Sequence, residues 1–247
     1  MPQANAELWT ALQIPSAPLV RLERETLQSK ILAQLEERLI TGVFRPGEKL
    51  TLRTLAAQLG TSLMPVRDAI QHLQSIGALQ SNANRTTTVP VVTPSERQGL
   101  SEVRFVLETL AAERATHLGD RAGFARLQER WEALRCSREE YSGAGYLQAH
   151  WAFHRELALL GGIPALVDLL TSLWLRIGPT VEMNGQMRDG KLEALTIHRA
   201  IVDAVVARDP AAARRALEVD IFYGTSRQDL TQSHIPAPSK RKKPARA

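Results

Sequence analysis

The chain has 247 residues, of which 44% are hydrophobic and 23% charged, with a formal net charge of +5. That length holds one large domain or two modest ones, and so ordinary a composition excludes wholesale disorder. No window approaches about 18 uninterrupted apolar residues, so no transmembrane helix is expected.

The start, MPQANAELWTALQIPSAP, has neither a basic head nor an apolar core and does not read as a signal peptide. The single cysteine, Cys136, excludes a disulfide framework and a thiolate-rich zinc site within one chain. A reducing, cytoplasmic setting is expected. The net charge is unevenly spread. The last nine residues, SKRKKPARA, hold five bases and no acid, so residues 1–238 sum to zero. Residues 27–95 carry seven bases and four acids, and residues 96–238 carry 17 bases and 19 acids. A mildly basic segment thus precedes a larger, mildly acidic one and a basic tail.

Residues 1–26 contain three prolines and read as an extension, with a short helix around Trp9 and Leu12. The first strong helix is 27–41, where Leu27, Ile31, Leu35 and Leu39 recur at i+4. Gly42 caps it, and Pro46-Gly47 is a turn. Thr51 reads as an N-cap, with Leu55, Ala56 and Leu59 inward and Gly60 at the helix end. Ser62 is the next N-cap, and Pro65 sits in a first turn where its missing N–H does no harm. Ala69, Ile70, Leu73 and Ile76 form the following stripe, and Gly77 stops it. Two short helices around such a turn are a helix-turn-helix signature. ALQSNANRTTTVPVV then reads as two β runs about a turn at 81–84. The expectation for 27–94 is a winged helix-turn-helix.

From 95 to 232 every segment has helical period. Six helices are predicted: 95–118, 120–140, 144–160, 164–183, 190–207 and 210–229. Residues 233–247 read as a disordered basic tail, whose Lys240–Lys243 run adds non-specific phosphate attraction. The fold class is therefore mainly α: a winged DNA-binding domain with a small β-hairpin wing, then an all-α bundle.

In a helix-turn-helix the N-terminal residues of the second helix reach base edges. Here they are Ser62, Leu63, Met64 and Arg67. Arg67 can pair bidentately with guanine O6 and N7. Ser62 and Arg53 are placed for phosphates. Arg85, at the wing tip, suits a minor groove or a phosphate. Taken alone, Arg67 reads as a solvated helix charge.

The stretch PGEKLTLRTLAAQLGTSLMPVRDAIQHLQSIGAL resembles the DNA-binding domain of GntR-family bacterial regulators, through Pro46-Gly47, Leu50, Arg53, Leu55-Ala56, Leu59-Gly60, Ser62, Pro65-Val66-Arg67, Ala69, Leu73 and Gly77. The resemblance keeps Arg53 and Arg67 as DNA contacts. It also marks two departures. Leu63 stands where the family usually has arginine, and can pack on a thymine methyl instead. Thr86 stands where a glycine usually follows the wing arginine, and threonine resists φ > 0.

His150 and His154 stand four apart in HWAFH, on one helix face. His198 and Asp220 are further candidates. Three imidazoles and a carboxylate suit Zn²⁺, Ni²⁺ or Mn²⁺. By spacing alone, the pair reads equally well as structural or solvated. The helical region resembles the FadR C-terminal (FCD) effector domain in its shorter, six-helix form. That family typically shows Asp-x-x-Phe/x-His, then a histidine on each of the last two helices. Here the first and last ligand types are exchanged, and the tally of three histidines and one aspartate is kept. The family's Arg-x-x-x-Glu on the first helix is matched by Arg104 and Glu108, which implies that both are effector-binding, with Arg104 the clamp for an effector carboxylate. The alternative is a surface i,i+4 pair. His72 and His117 match no ligand position. Trp131, Trp151 and Trp174 read as core.

The resemblance implies a cytoplasmic, homodimeric regulator on a palindromic double-stranded operator, released when a small organic acid binds beside the metal. No enzyme is expected. HWAFH has Trp151 where HExxH has its glutamate, and no nucleophile elbow, phosphate loop or dinucleotide fingerprint is present. A regulator with a purely structural pocket is the alternative, and a metalloenzyme of the helical domain the more distant one.

Overall fold

A computed structural model describes residues 27–81, 86–139, 143–183 and 191–232, and the side chains within 27–81, 86–138, 144–180 and 195–222. The expected N-terminal extension, Arg85 at the wing tip and the basic tail lie outside the described residues.

The amphipathic stripe of the first segment folds as α1 (Leu27–Ile40), which buries Ile31, Leu35, Leu39 and Ile40. β1 (Lys49–Leu50) follows, then α2 (Leu52–Leu59). The Thr51 hydroxyl accepts from the Thr54 backbone N–H and caps α2. Gly60 ends it at φ 62°, a left-handed conformation that glycine adopts without a Cβ clash. Two residues later α3 (Leu63–Ser75) begins and buries Val66, Ala69, Ile70 and Leu73. These faces close on one another as a single apolar core, so α3 is held at a fixed angle across α2.

The wing differs from the expected two-stranded hairpin. β2 (Gln80–Ser81) and β3 (Thr87–Thr88) pair antiparallel as predicted. The other edge of β3 is taken by β1, with Lys49 opposite Thr88 and Leu50 opposite Thr87. The sequence carries no strand signal at 49–50, because a two-residue strand has no period and its partner is far along the chain. Thr86 precedes β3, and Arg208 is the one non-glycine residue at positive φ among the described residues. Thr86 itself is therefore not in the left-handed conformation.

Pro94 is the N1 residue of α4 (Pro94–Leu118), not a break before it. Thr93 and Glu96 form a reciprocal capping box that fixes where this long helix starts. α5 (Arg121–Glu139), α6 (Gly143–Leu160), α7 (Pro164–Met183), α8 (Lys191–Val206) and α9 (Pro210–Gln232) complete the bundle. α4 packs on α9, α6 and α7, and α9 also packs on α8. At the α8–α9 turn, Arg208 donates to the carbonyls of Thr116, His117 and Gly119, tying that turn to the end of α4. The bundle core lies between these helices, with Leu127, Leu134, Leu147, Phe153 and Leu157 nearly or wholly inaccessible. None of the helices searched among the described residues is long and apolar enough to cross a membrane.

Candidate metal centre and DNA-reading helix

Three helices aim side chains at one point in the bundle. α6 supplies His150 and His154, α8 supplies His198 and α9 supplies Asp220. One donor atom from each lies within 4.8 Å of all the others. His154 Nε2 is 3.0 Å from His150 Nε2 and 3.5 Å from Asp220 Oδ2, and His198 Nε2 is 3.4 Å from Asp220 Oδ1. Ligands about 2.0–2.1 Å from a tetrahedral ion stand about 3.3 Å apart, so this spacing fits one ion. The exchange of the aspartate and histidine positions leaves all four groups converging on that point.

Glu108, from α4, adds a partner that spacing does not reveal. Its Oε2 lies 2.6 Å from His154 Nδ1, and its Oε1 accepts from Arg104 Nε. Burial opposes ionisation of Glu108, but Arg104 and His154 outweigh it and hold its pKa down at about 2. An ionised Glu108 takes the Nδ1 proton of His154 as its hydrogen bond. That leaves the Nε2 lone pair facing the other three donors, the carboxylate–histidine arrangement that supports metal ligation. His150 is held well below the ordinary histidine pKa by burial, then by His154, His198, Arg104 and Arg138. It is therefore neutral at physiological pH, the form that binds metal.

Arg104 is not the surface partner of the i,i+4 alternative. Its side chain is 10% exposed and spans Glu108 and Asp220, with Nη2 3.3 Å from Asp220 Oδ2 and 3.4 Å from His154 Nε2. Its guanidinium lies 4.5 Å from the centre of the Trp174 ring. Trp174 is buried, as expected of core, yet it also walls the site, edge-on to His150 at 5.0 Å. Tyr146 stacks at 5.4 Å from His150 and has the Arg138 guanidinium over its other neighbourhood at 4.7 Å. Burial pushes the Tyr146 hydroxyl up to about 12, so it stays protonated. Sequence reading singled out neither Tyr146 nor Arg138. The i,i+4 spacing of Tyr146 to His150 was the available signal.

At the other end of the molecule, α3 presents Leu63 (41% exposed), Met64 (61%) and Arg67 outward, and α2 presents Arg53. Ser62 occupies the N-cap position of α3 but makes no side-chain capping bond, so its exposed hydroxyl points elsewhere than into its own helix. Gln74 Nε2 donates to Thr87 Oγ1 and ties the C-terminal part of α3 to the wing.

Residues 27–89 match the model of the bacterial regulatory proteins of the gntR family, and residues 99–221 match that of the FCD domain. The chain is a GntR-family regulator. Among its relatives is the HTH-type transcriptional regulator McbR of Escherichia coli (strain K12), 26% identical over 80% of this chain and 90% of that protein. Another is the probable D-xylose utilization operon transcriptional repressor of Paenarthrobacter nicotinovorans, 27% identical over 80% of this chain and 86% of that protein. The solved E. coli McbR/YncC structure shares the fold at a TM-score of 0.79 and 24% identity, over 85% of this chain and all of that one. GntR proteins bind DNA, and α3 is the second helix of the helix-turn-helix within the segment that matches this family.

Proposed function

We propose that this GntR protein is a ligand-responsive repressor that holds a divalent metal through His150, His154, His198 and Asp220. The observation that supports it most is the convergence of those four donors within 4.8 Å, with His154 turned by the ionised Glu108. Zn²⁺, Ni²⁺ and Mn²⁺ all suit three neutral imidazoles and one carboxylate. When bound, such an ion supplies a fixed positive charge against which an acidic metabolite docks. Together with Arg104, Glu108 and Asp220 it leaves one net positive charge in a buried site, which favours a carboxylate. The five N–H donors of Arg104 exceed its contacts with Glu108, Asp220 and His154, which supports its role as the effector clamp. On this reading Glu108 positions His154 and steadies Arg104 rather than touching the effector.

Elemental analysis of the purified protein tests the metal. About one ion per chain is expected; none after incubation with zinc, nickel and manganese would leave the pocket structural and the regulator constitutive. Glu108→Gln keeps the shape but removes the charge that orients His154. It is expected to lower metal affinity about 10–100-fold in a competition titration with a chromophoric chelator.

DNA contact is assigned to Arg67 for base edges, Arg53 and Ser62 for phosphates, Leu63 and Met64 for apolar contact with base methyls, and Arg85 at the wing. The protein acts as a homodimer on a palindromic operator in the cytoplasm. Val103, Val106 and Leu110 support a self-associating face, since they stand at i, i+3 and i+7 on α4 and are 50%, 64% and 41% exposed. Val106→Glu is expected to shift the protein from dimer to monomer in sedimentation velocity; an unchanged dimer places the interface elsewhere. Catalysis has no support: the relatives are regulators, and the helix bearing the histidines has no glutamate at 151 to act as base.

A further inference from the structure

One turn of α7 faces both ends of the molecule. Trp174 walls the metal centre, against His150 and under Arg104. The next residue, Leu175, is wholly buried in the other direction, within the core formed by α1, α2, α3 and the wing. Arg176 lies over Gly77 at the end of the DNA-reading helix, 3.9 Å from where a Cβ would stand. Gly178 packs so tightly on α1 that a Cβ there would come within 2.6 Å of the Ile40 carbonyl oxygen. α6 repeats the device. His150 faces the metal centre, while its neighbour Trp151 packs on both the DNA-binding core and the adjoining bundle core, 5.4 Å from Trp174. Adjacent residues on a helix point about 100° apart, so one backbone position serves both sides.

α7 is also weakened at this turn. Pro179 lies inside the helix and has no N–H, so the Leu175 carbonyl loses its i+4 donor. Broken ladders are where helices bend. The residue that plugs the DNA-binding core thus sits at the point where the helix bends most cheaply.

We propose that the Trp174–Gly178 turn, with Trp151, is the relay that converts occupancy of the metal centre into a change in the seat of the DNA-binding domain. Displacement of the Trp174 ring tilts the turn at its Pro179 break and moves Leu175 and Gly178 against α1. The relay rests on the metal-centre reading above. It is a coupling free energy between two sites and is therefore reciprocal: Zn²⁺ changes DNA affinity by the factor by which DNA changes Zn²⁺ affinity.

The test uses the full chain, Zn²⁺ alone as the site probe, and the tightest duplex recovered from a randomised pool. In the parent, Zn²⁺ is expected to shift duplex affinity at least about fivefold. Gly178→Ala, which pushes α1 off α7, should bind Zn²⁺ like the parent while that shift shrinks to within about twofold of none. A variant that keeps the full shift overturns the relay. A second measurement needs no variant. Zn²⁺ should change amide exchange across residues 31–40 of α1, and unchanged exchange in a protein that binds Zn²⁺ overturns the relay as well. A parent that takes up no Zn²⁺ overturns the metal reading itself. A parent that binds both Zn²⁺ and duplex without linkage overturns only the relay.

Discussion

His154→Ala is expected to cost more metal affinity than any other single change, at least about 100-fold, beyond the 10–100-fold typical of losing an orienting partner. His154 is the hub of the centre. Its Nε2 stands 3.0 Å from His150, 3.5 Å from Asp220 and 3.4 Å from Arg104, and its Nδ1 bonds Glu108. Truncation removes one donor and leaves Glu108 buried with Arg104 as its remaining strong partner. A ligand that binds only the folded state stabilises it by about 2.7 kcal/mol at a hundred times its Kd. Parent protein should therefore melt at higher temperature with saturating Zn²⁺, and His154→Ala should not respond. A variant that retains full occupancy by elemental analysis would remove His154 from the ligand set. Leu175 of α7 belongs to the core of the winged domain, so comparing the melting of metal-free variant and metal-free parent separates loss of the metal from loss of the fold.

The second large effect is on sequence reading by α3. Arg67→Ala is expected to cost about 1–3 kcal/mol on the best duplex and little on a scrambled one. Arg67 is exposed, while Val66, Ala69 and Ile70 beside it are fixed in the core, so the guanidinium is delivered from a rigid platform. Arg53→Ala should instead weaken both duplexes alike and reduce the salt slope by about one. Equal losses on both duplexes for Arg67→Ala would reassign it to the phosphates.

Much of this was legible because it is local. Gly60 between two apolar stripes marks the helix-turn-helix, and it adopts the left-handed conformation such a turn demands. The four spacing between His150 and His154 places both on one face. His198 and Asp220 stand as candidates by residue type, and the family resemblance is what ties them to the His150–His154 pair. What escaped is long-range. Lys49 and Leu50 become a strand only because Thr87 and Thr88 arrive beside them. From spacing alone Arg104 is either an effector clamp or half of an exposed pair, and Asp220, 116 residues later, is the partner that spacing does not show. Glu108 reads as a pocket acid, yet the structure puts it behind His154. Trp174 was right as core and incomplete, because a buried ring can fill space and face a site at once.

The closing of α4 by α9 bears on the order in which the chain becomes competent during synthesis. Arg104 and Glu108 are made before the two α6 histidines, His198 follows, and Asp220 comes last of the set. The core of the DNA-binding domain likewise waits for Leu175, well after Val89, the last of its other buried members. A nascent chain that stalls before α9 has three imidazoles and an unclosed arginine but no completed centre. The four converging donors and the last member of the DNA-binding core are thus both supplied by helices of the bundle, made after the winged segment.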